Sequence, residues 1–238
     1  MRVNKRALDS LRPVSIETNV NKHAEGSCIV KFGDTHVLCT ATIEESLPPF
    51  LRGKNQGGWV TAEYSLLPRS TETRVRREVG QGKPSGRTQE IQRLISRSLR
   101  SVVNLKALGD RQILVDCDVL QADGGTRTAA ITGGYVALCL ALQTLVKKKV
   151  FHRVPIISEV AAVSCGIIGN DILLDVDYKE DSNADVDANF VINGQGKLVE
   201  IQGTAEKKAF TEEQFLEMLK LAKKGVAEIS AIQKSALI

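Results

Sequence analysis

Short runs of alternating hydrophobic and polar residues dominate the first part of the chain, and this period predicts β-strands. Residues 23–43 predict a hairpin that turns at Gly33-Asp34, and residues 59–66 predict a further strand. Residues 2–21 are polar and predict an irregular segment or an edge strand, because Pro13 lacks the amide hydrogen that a central strand needs.

Two stretches instead have helical spacing. Between residues 88 and 108, apolar side chains recur every three or four positions. The opposite face carries Arg93, Arg97 and Arg100, which we interpret as a solvated helix surface. Residues 129–146 are apolar almost all round, which is typical of a buried helix.

The second half repeats these patterns. Two more hairpins are predicted, one turning at Gly169-Asn170 and continuing as a strand to Tyr178, the other turning at Asn193-Gly194. The segment from Thr211 to Gln214 has the pattern of a capping box and predicts a helix to about residue 232.

Each half therefore combines a hairpin, further strands and a long helix. This repetition predicts an α+β fold built by duplication, with mixed sheets and long covering helices. We place the first half at residues 1–150 and the second at residues 151–238, because residues 147–155 are charged and end in proline.

Composition and charge narrow the class of protein. No uninterrupted apolar run is long enough to cross a membrane, and no secretory signal is evident, so we expect a cytoplasmic protein without membrane contact. The five cysteines form no Cys-x-x-Cys pair and are expected to be buried free thiols. Residues 69–87 hold six basic and two acidic side chains, a local charge of +4 that equals the formal charge of the whole chain.

The segment from Gln121 to Thr128 joins a predicted strand to the predicted buried helix, and two glycines lie at the junction. Arg127 in the first helical turn is unfavourable by roughly 0.3–1 kcal/mol, because a helix N-terminus carries partial positive charge. An anion bound by the amide groups, the Thr126 hydroxyl and the Arg127 guanidinium would explain this arrangement.

Arg87 occupies a similar place, after Gly86 at the start of the other predicted helix. Two helix N-termini that each carry an arginine make a shared phosphate site plausible. Nucleotide motifs are not matched, because the segment around Gly80 lacks the Walker pattern and no Gly-x-Gly-x-x-Gly follows a strand.

The segment from Asp175 to Asp187 contains six carboxylates and one lysine. It lacks the glycine of an EF-hand loop, so it is either a solvated acidic loop or a carboxylate cluster for Mg²⁺ or proton transfer. A basic segment, a phosphate clamp and a carboxylate cluster together favour phosphoryl chemistry on a polyanion.

Several ordered motifs closely resemble the ribonuclease PH family. They run through almost the whole chain and are Lys22-His-Ala-Glu-Gly-Ser, Phe32-Gly-Asp-Thr, Thr61-Ala-Glu-Tyr, Leu67-Pro-Arg-Ser, Gly86-Arg-Thr-Gln-Glu-Ile-Gln-Arg-Leu, Asp116-Cys-Asp-Val-Leu-Gln-Ala-Asp-Gly-Gly-Thr-Arg-Thr, Glu180-Asp-Ser and Val199-Glu-Ile-Gln-Gly-Thr-Ala-Glu.

The resemblance implies a duplicated β-α ribonuclease PH fold of the ribosomal protein S5 domain 2-like type. It implies a nucleotidyltransferase that uses phosphate to trim transfer RNA precursors, and other RNA including ribosomal RNA, from the 3′ end. It also implies a Mg²⁺ requirement and a homo-oligomeric ring, a hexamer arranged as a trimer of dimers.

Site residues follow from the same resemblance. Phosphate is assigned to Arg87, Gly125, Thr126 and Arg127. Catalysis and Mg²⁺ binding are assigned to Asp181 and Asp187, with a less secure role for Asp185. Contact with tRNA is assigned to the basic loop, whose arginines are Arg69, Arg74, Arg76 and Arg77.

The chemistry leaves alternatives open. The aspartates either hold Mg²⁺ or donate a proton to the leaving oxygen. A non-catalytic RNA-binding ring subunit of the same fold would be expected to lack the arginines or the carboxylates. A phosphorylase of free nucleosides would not need four arginines in one loop.

Overall fold

The computed structural model describes Arg2, residues 5–54 and residues 56–238, so positions 1, 3 and 4 of the predicted irregular N-terminal segment lie outside the described residues. The first sheet contains β1 (Val14–Thr18), β2 (Gly26–Phe32), β3 (Thr35–Glu44), β4 (Trp59–Leu66) and β5 (Gln112–Gln121). Its spatial order is β1-β2-β3-β5-β4. The predicted hairpin and the predicted edge strand are confirmed as β2–β3 and β1.

The second sheet contains β6 (Val160–Ile168), β7 (Asp171–Leu174), β8 (Val186–Asn193) and β9 (Leu198–Ala205) in the order β7-β6-β8-β9. All of its pairs are antiparallel, whereas the first sheet is mixed because β4 runs parallel to β5. The prediction of mixed sheets therefore holds for the first sheet only.

Both hairpins predicted in this half are confirmed as β6–β7 and β8–β9. The strand predicted to reach Tyr178 was wrong in length, because it ends at Leu174 and Asp175 adopts a left-handed backbone with φ of 54°. The turn predicted at Asn193-Gly194 extends to Lys197, since the Asn193 side chain accepts hydrogen bonds from the amides of Gln195 and Lys197. The glycine with positive φ in that turn is Gly196, at 74°.

The helix predicted between residues 88 and 108 is divided into α1 (Gly86–Arg100) and α2 (Leu105–Leu108). The break has a tertiary cause. Val103 forms an isolated antiparallel bridge with Ile156, and the Asn104 amide donates to the Pro155 carbonyl. These backbone bonds to the second half replace the continuing helical ones.

Helix α3 (Thr126–Lys147) is the predicted buried helix, and it packs against β2, β3 and β5 of the first sheet and against β6 of the second. Contact with both sheets explains why it is apolar almost all round. Among the described residues it is the one helix whose length and composition would allow it to cross a membrane, and 78% of that segment is buried inside the fold.

A short helix, α4 (Tyr178–Asp181), precedes β8, and the long helix α5 (Glu212–Ala236) follows β9. The predicted capping box of α5 is confirmed, with Thr211 and Gln214 each accepting a hydrogen bond from the other's backbone amide. Helix α5 packs against β6, β7 and β1, and its Gln233 amide donates to the carbonyls of Thr132 and Val160. The α+β class is confirmed.

One hydrophobic core extends across both sheets. All five cysteines are buried free thiols, as predicted. The division at residue 150 stays a prediction, because buried residues of both halves pack together in this core.

Candidate phosphate and carboxylate site

The turn before α3 depends on its two glycines. Gly124 and Gly125 have φ of 75° and 64°, a left-handed conformation that side chains disfavour. A Cβ atom on Gly124 would also lie 2.7 Å from the carbonyl carbon of Asp177. The turn is therefore packed directly against the start of α4, which brings the N-terminus of α3 next to the acidic segment.

A buried arginine holds this turn in place. Arg12 forms two guanidinium hydrogen bonds with the Asp175 carboxylate, at 2.7 and 3.1 Å, and its Nη1 donates to the carbonyl of Asp123. Burial lowers the pKa of Arg12, but the hydrogen bonds and charge of Asp175 outweigh burial and raise it. Sequence reasoning missed Arg12, whose partner is 163 residues away.

Thr126 opens α3 and is buried, and its hydroxyl is hydrogen-bonded to the Tyr64 hydroxyl at 2.8 Å. Burial raises the pKa of Tyr64, while Thr126 and the charges of Arg87 and Arg127 lower it. Both arginines therefore lie close enough to act on one hydroxyl. Tyr64 was missed as a site residue, although it lies in a motif that carried the family resemblance.

Arg87 is exposed in the first turn of α1. The turn is capped by Ser85, whose hydroxyl accepts a hydrogen bond from the Thr88 amide, and the first turn contains no acidic residue. Glu78 from the preceding loop accepts hydrogen bonds from the Ser85 amide and the Thr88 hydroxyl. Arg127, in the first turn of α3, donates from Nη1 to the Gln202 side-chain oxygen.

Hydrogen bonding divides the carboxylates of the acidic segment into structural and available ones. Asp175 is 1% exposed and paired with Arg12, and Glu180 accepts two hydrogen bonds from Arg2 at 2.6 and 2.7 Å. Asp177 caps α4, with the Glu180 side chain completing the capping box. Asp185 accepts a hydrogen bond from the Gly169 amide. These four carboxylates have structural partners.

Asp181 and Asp187 differ from the others, because no hydrogen bond to either carboxylate is found within the described part of the chain. Burial raises the pKa of Asp181, and Arg127 and Arg87 oppose the rise. Burial and the charge of Asp181 raise the pKa of Asp187 to about 6, against the opposing charges of Arg127 and Arg87. The same two arginines thus act on both carboxylates, which the sequence placed in the other half of the chain.

Glu206 also raises the pKa of both aspartates and was not anticipated. No group of three or more potential metal ligands of the His, Cys, Asp and Glu types is present among the described residues. Two carboxylates nevertheless suffice for Mg²⁺, which often keeps most of its water.

The basic loop is attached beside the site. The Leu67 amide donates to Val119, and the Ala122 amide donates to the buried Ser70, so the loop begins against the strand that leads to the glycine turn. All four of its predicted RNA-binding arginines are exposed, namely Arg69, Arg74, Arg76 and Arg77. Burial raises the pKa of Asp118, and the charge of Arg77 lowers it.

The interpretation of the α1 arginines as a solvated face holds for Arg93 and Arg97, which are exposed, and was wrong for the partly buried Arg100. Arg97 forms a bidentate pair with Glu200 of β9, at 2.6 and 3.0 Å. Arg100 lies 4.2 Å from the ring centre of Trp59 and donates to the Val60 carbonyl. Arg93 is exposed.

Comparison with known proteins adds the family. The chain matches the model of the 3′ exoribonuclease family, domain 1, over residues 10–142 and that of the same family, domain 2, over residues 158–225. Two curated proteins named ribonuclease PH, from Methylobacterium radiotolerans and Methylobacterium sp. strain 4-46, are 60% and 61% identical over 237 residues, with complete coverage of both chains.

Solved structures share the fold at lower identity. Rice Rrp46 is 19% identical with a TM-score of 0.81 over all of both chains. A subunit of the Archaeoglobus fulgidus exosome with RNA bound to the active site is 23% identical, with a TM-score of 0.82 over 97% of this chain and 91% of that one. The identity and full-length coverage of the curated relatives are decisive: the chain belongs to the ribonuclease PH group of the 3′ exoribonuclease family.

Proposed function

We propose that this chain is a phosphorolytic 3′-to-5′ exoribonuclease, a nucleotidyltransferase that trims the 3′ ends of transfer RNA precursors and releases nucleoside diphosphates. Family membership supports the reaction. The observation that carries the assignment of residues is the placement of Arg87 and Arg127 in the first turns of α1 and α3, two helices that come together at the contact of Arg127 with Glu90 of α1. The charges of both arginines also lower the pKa of Asp181 and of Asp187.

Inorganic phosphate is the nucleophile. The amides of Gly125 and Thr126 lie at the N-terminus of α3, where the helix dipole favours an anion, and the guanidinium groups of Arg87 and Arg127 supply full positive charge. A phosphate oxygen attacks the phosphorus of the terminal phosphodiester. The bond from that phosphorus to the 3′ oxygen of the penultimate nucleotide breaks, and this oxygen takes up a proton.

Asp181 and Asp187 form the acidic side of the site. Two half-buried carboxylates, of which Asp181 raises the pKa of Asp187, are a donor set that suits a hard cation, so the residues fit Mg²⁺. When bound, Mg²⁺ would neutralise charge on the phosphoryl oxygens. Alternatively, without a bound cation, a pKa of about 6 would leave Asp187 partly protonated near neutral pH and able to donate to the leaving oxygen.

The basic loop is assigned to the RNA, where Arg69, Arg74, Arg76 and Arg77 contact backbone phosphates of the tRNA precursor. We further propose a hexameric ring and a cytoplasmic location. A non-catalytic ring subunit is not favoured, because this chain retains both arginines and both aspartates. A nucleoside phosphorylase is not favoured either, since its small substrate needs no such loop.

The deciding experiment measures products with and without phosphate. We expect nucleoside diphosphates in phosphate buffer and almost no trimming without phosphate. Nucleoside monophosphates released at full rate in phosphate-free buffer would identify water as the nucleophile and refute the proposal. In single variants, Asp181→Asn or Asp187→Asn should lower turnover by at least ~10²-fold.

The matched control is Asp185→Asn, because this carboxylate lies in the same segment but accepts a hydrogen bond from Gly169. Its turnover should stay close to that of the unchanged protein. Arg127→Ala should raise the KM for phosphate, and high phosphate should recover part of the rate.

A further inference from the structure

Three side chains from three elements contact one another at the Arg127 guanidinium, and Arg127 is one of the three. Arg127 of α3 donates from Nη1 to the Gln202 Oε1 of β9, at 2.9 Å. The Gln202 Nε2 donates to Glu90 Oε1 of α1, at 2.7 Å. Glu90 Oε2 lies 3.5 Å from the same Arg127 nitrogen. Each member of the set therefore contacts the other two.

From this geometry we infer that Gln202 and Glu90 are positioning residues, which orient the Arg127 guanidinium toward phosphate without touching it. The inference rests on the proposed function for the assignment of Arg127 to phosphate. It adds two residues, for which neither composition nor spacing indicated a role.

Because Nη1 of Arg127 is hydrogen-bonded to a protein side chain, Nε and Nη2 are the nitrogens left to bind a ligand. Nη1 of Arg127 donates the hydrogen bond to Gln202 and is also the nitrogen that lies 3.5 Å from Glu90 Oε2. Nε and Nη2 form the other edge of the planar guanidinium, and a bidentate contact with phosphate uses two such parallel donors. The hydrogen bond at Nη1 therefore orients the Nε and Nη2 donors toward the phosphate site before the anion binds.

The amide at position 202 suits this task better than a carboxylate would. The Gln202 side chain accepts a hydrogen bond from Arg127 through Oε1 and donates one to Glu90 through Nε2. Glu90 is then the one negatively charged side chain among these three. A glutamate at this position would face Glu90 and Glu200 with like charge and compete with phosphate for the arginine.

The position of Gln202 is itself held by its strand. Its Nε2 is 3.3 Å from Glu200 Oε1, two residues earlier in β9, and Glu200 forms the bidentate pair with Arg97 of α1. The α1–β9 contact that appeared as a surface salt bridge thus supports the set around Arg127. These contacts hold the long, flexible side chain of Gln202 in place beside Arg127.

Two variants separate orientation from charge. Gln202→Met keeps the length of the side chain and removes its hydrogen bonds with Arg127, Glu90 and Glu200. Glu90→Gln keeps an oxygen that can accept from Gln202 and removes the charge. Gln195→Met, in the exposed turn between β8 and β9, is the matched glutamine control.

The primary readout is equilibrium binding of inorganic phosphate without RNA, which does not depend on turnover. Gln202→Met should weaken phosphate binding roughly tenfold, the loss expected when a charge-assisted contact is misaligned. Glu90→Gln should bind phosphate at least as tightly as the unchanged protein, because a competing charge is gone. Gln195→Met should have no effect.

Steady-state rates give the second readout. Gln202→Met should raise the KM for phosphate, keep kcat at saturating phosphate within about twofold and leave the KM for RNA unchanged. Unaltered phosphate affinity in Gln202→Met would refute the positioning role. Equal weakening in Gln202→Met and Glu90→Gln would also refute it, because charge rather than orientation would then be the cause.

The proposed function is tested separately by the products formed without phosphate. Release of nucleoside monophosphates there would refute phosphorolysis, while phosphate binding to the two variants would still decide the positioning role.

Discussion

At the scale of single residues, the acidic segment contains carboxylates with opposite electrostatic behaviour. Burial would raise the pKa of Glu180, but the hydrogen bonds from Arg2 and from the Asp177 amide lower it. For Asp187, burial and the neighbouring charge of Asp181 raise the pKa to about 6. A half-buried carboxylate without an ion-pair partner costs stability, so its presence is consistent with a role in chemistry rather than in folding.

Because ionised Asp187 destabilises the folded chain, Asp187→Asn should stabilise the protein, and the size of this effect should depend on pH. The folded chain holds the Asp187 proton more tightly than the unfolded chain does, so the associated stability is complete below pH 3.8 and is lost as pH rises through about 6. Two units of pKa correspond to roughly 3 kcal/mol. The measurement is urea unfolding with EDTA present. The free energy of unfolding of the variant should be higher than that of the unchanged protein by up to that amount at pH 7.5, and by less at pH 5.

The exposed Asp110 supplies the control, because Asp110→Asn should not change the free energy of unfolding at either pH. If Asp187→Asn were destabilising at pH 7.5 in EDTA, the carboxylate would have a structural partner and the assignment of this residue to chemistry would lose its physical basis.

At the scale of elements, the proposed site takes residues from five of them. The N-termini of α1 and α3 bring the arginines, α4 and β8 bring the aspartates, and β9 brings Gln202. The basic loop starts beside the same glycine turn, through the bonds of Leu67 to Val119 and of Ala122 to Ser70. An exposed, arginine-rich loop attached at the edge of a polar site is well placed to guide RNA toward it.

The loop predicts a salt dependence of RNA binding. Four arginines on single-stranded phosphates contribute a log–log slope of roughly −0.7 per contact, or about −3. Replacing Arg69, Arg74, Arg76 and Arg77 by Ala should flatten the slope by that amount and leave the affinity for free phosphate nearly unchanged. The measurement is tRNA binding across a salt series.

A matched control replaces four basic residues at the opposite end of α3, namely Lys147, Lys148, Lys149 and Arg153. Their removal should leave the slope almost unaltered. An unchanged slope in the loop variant would argue against RNA contact and favour a role of the loop between subunits.

At the scale of the whole molecule, several large apolar side chains are more than half exposed in the single chain. They are Phe50, Ile157, Tyr178, Leu216 and the C-terminal Ile238. Exposed apolar side chains of this size fit subunit contacts, although single ones also occur on monomers.

The proposed ring predicts a definite mass. Six chains of 25.9 kDa give about 155 kDa. Light scattering after size exclusion should give this value over a wide range of concentrations, and the loop variant should elute at the same mass. A stable particle of one or two chains that is fully active would refute the hexamer.

Local patterns determined much of the fold. Alternation predicted the β2–β3 hairpin and β4, the apolar run predicted α3, and the Thr211–Gln214 pattern predicted the start of α5. These features depend on neighbours within a few residues, so the sequence contains their causes directly. The two glycines and Arg127 likewise predicted an anion site at the start of α3, and the family motifs supplied the residues proposed for it, an assignment that stays a prediction.

Tertiary structure alone decided which of these residues meet and what holds them. The break between α1 and α2, the early end of β7 and the burial of Asp175 all follow from contacts with distant segments. Arg12, Tyr64 and Gln202 reach partners 163, 62 and 75 residues away. No local pattern encodes such pairs, because hydrogen bonding and burial depend on distance in space, which the chain acquires only when both sheets pack around α3.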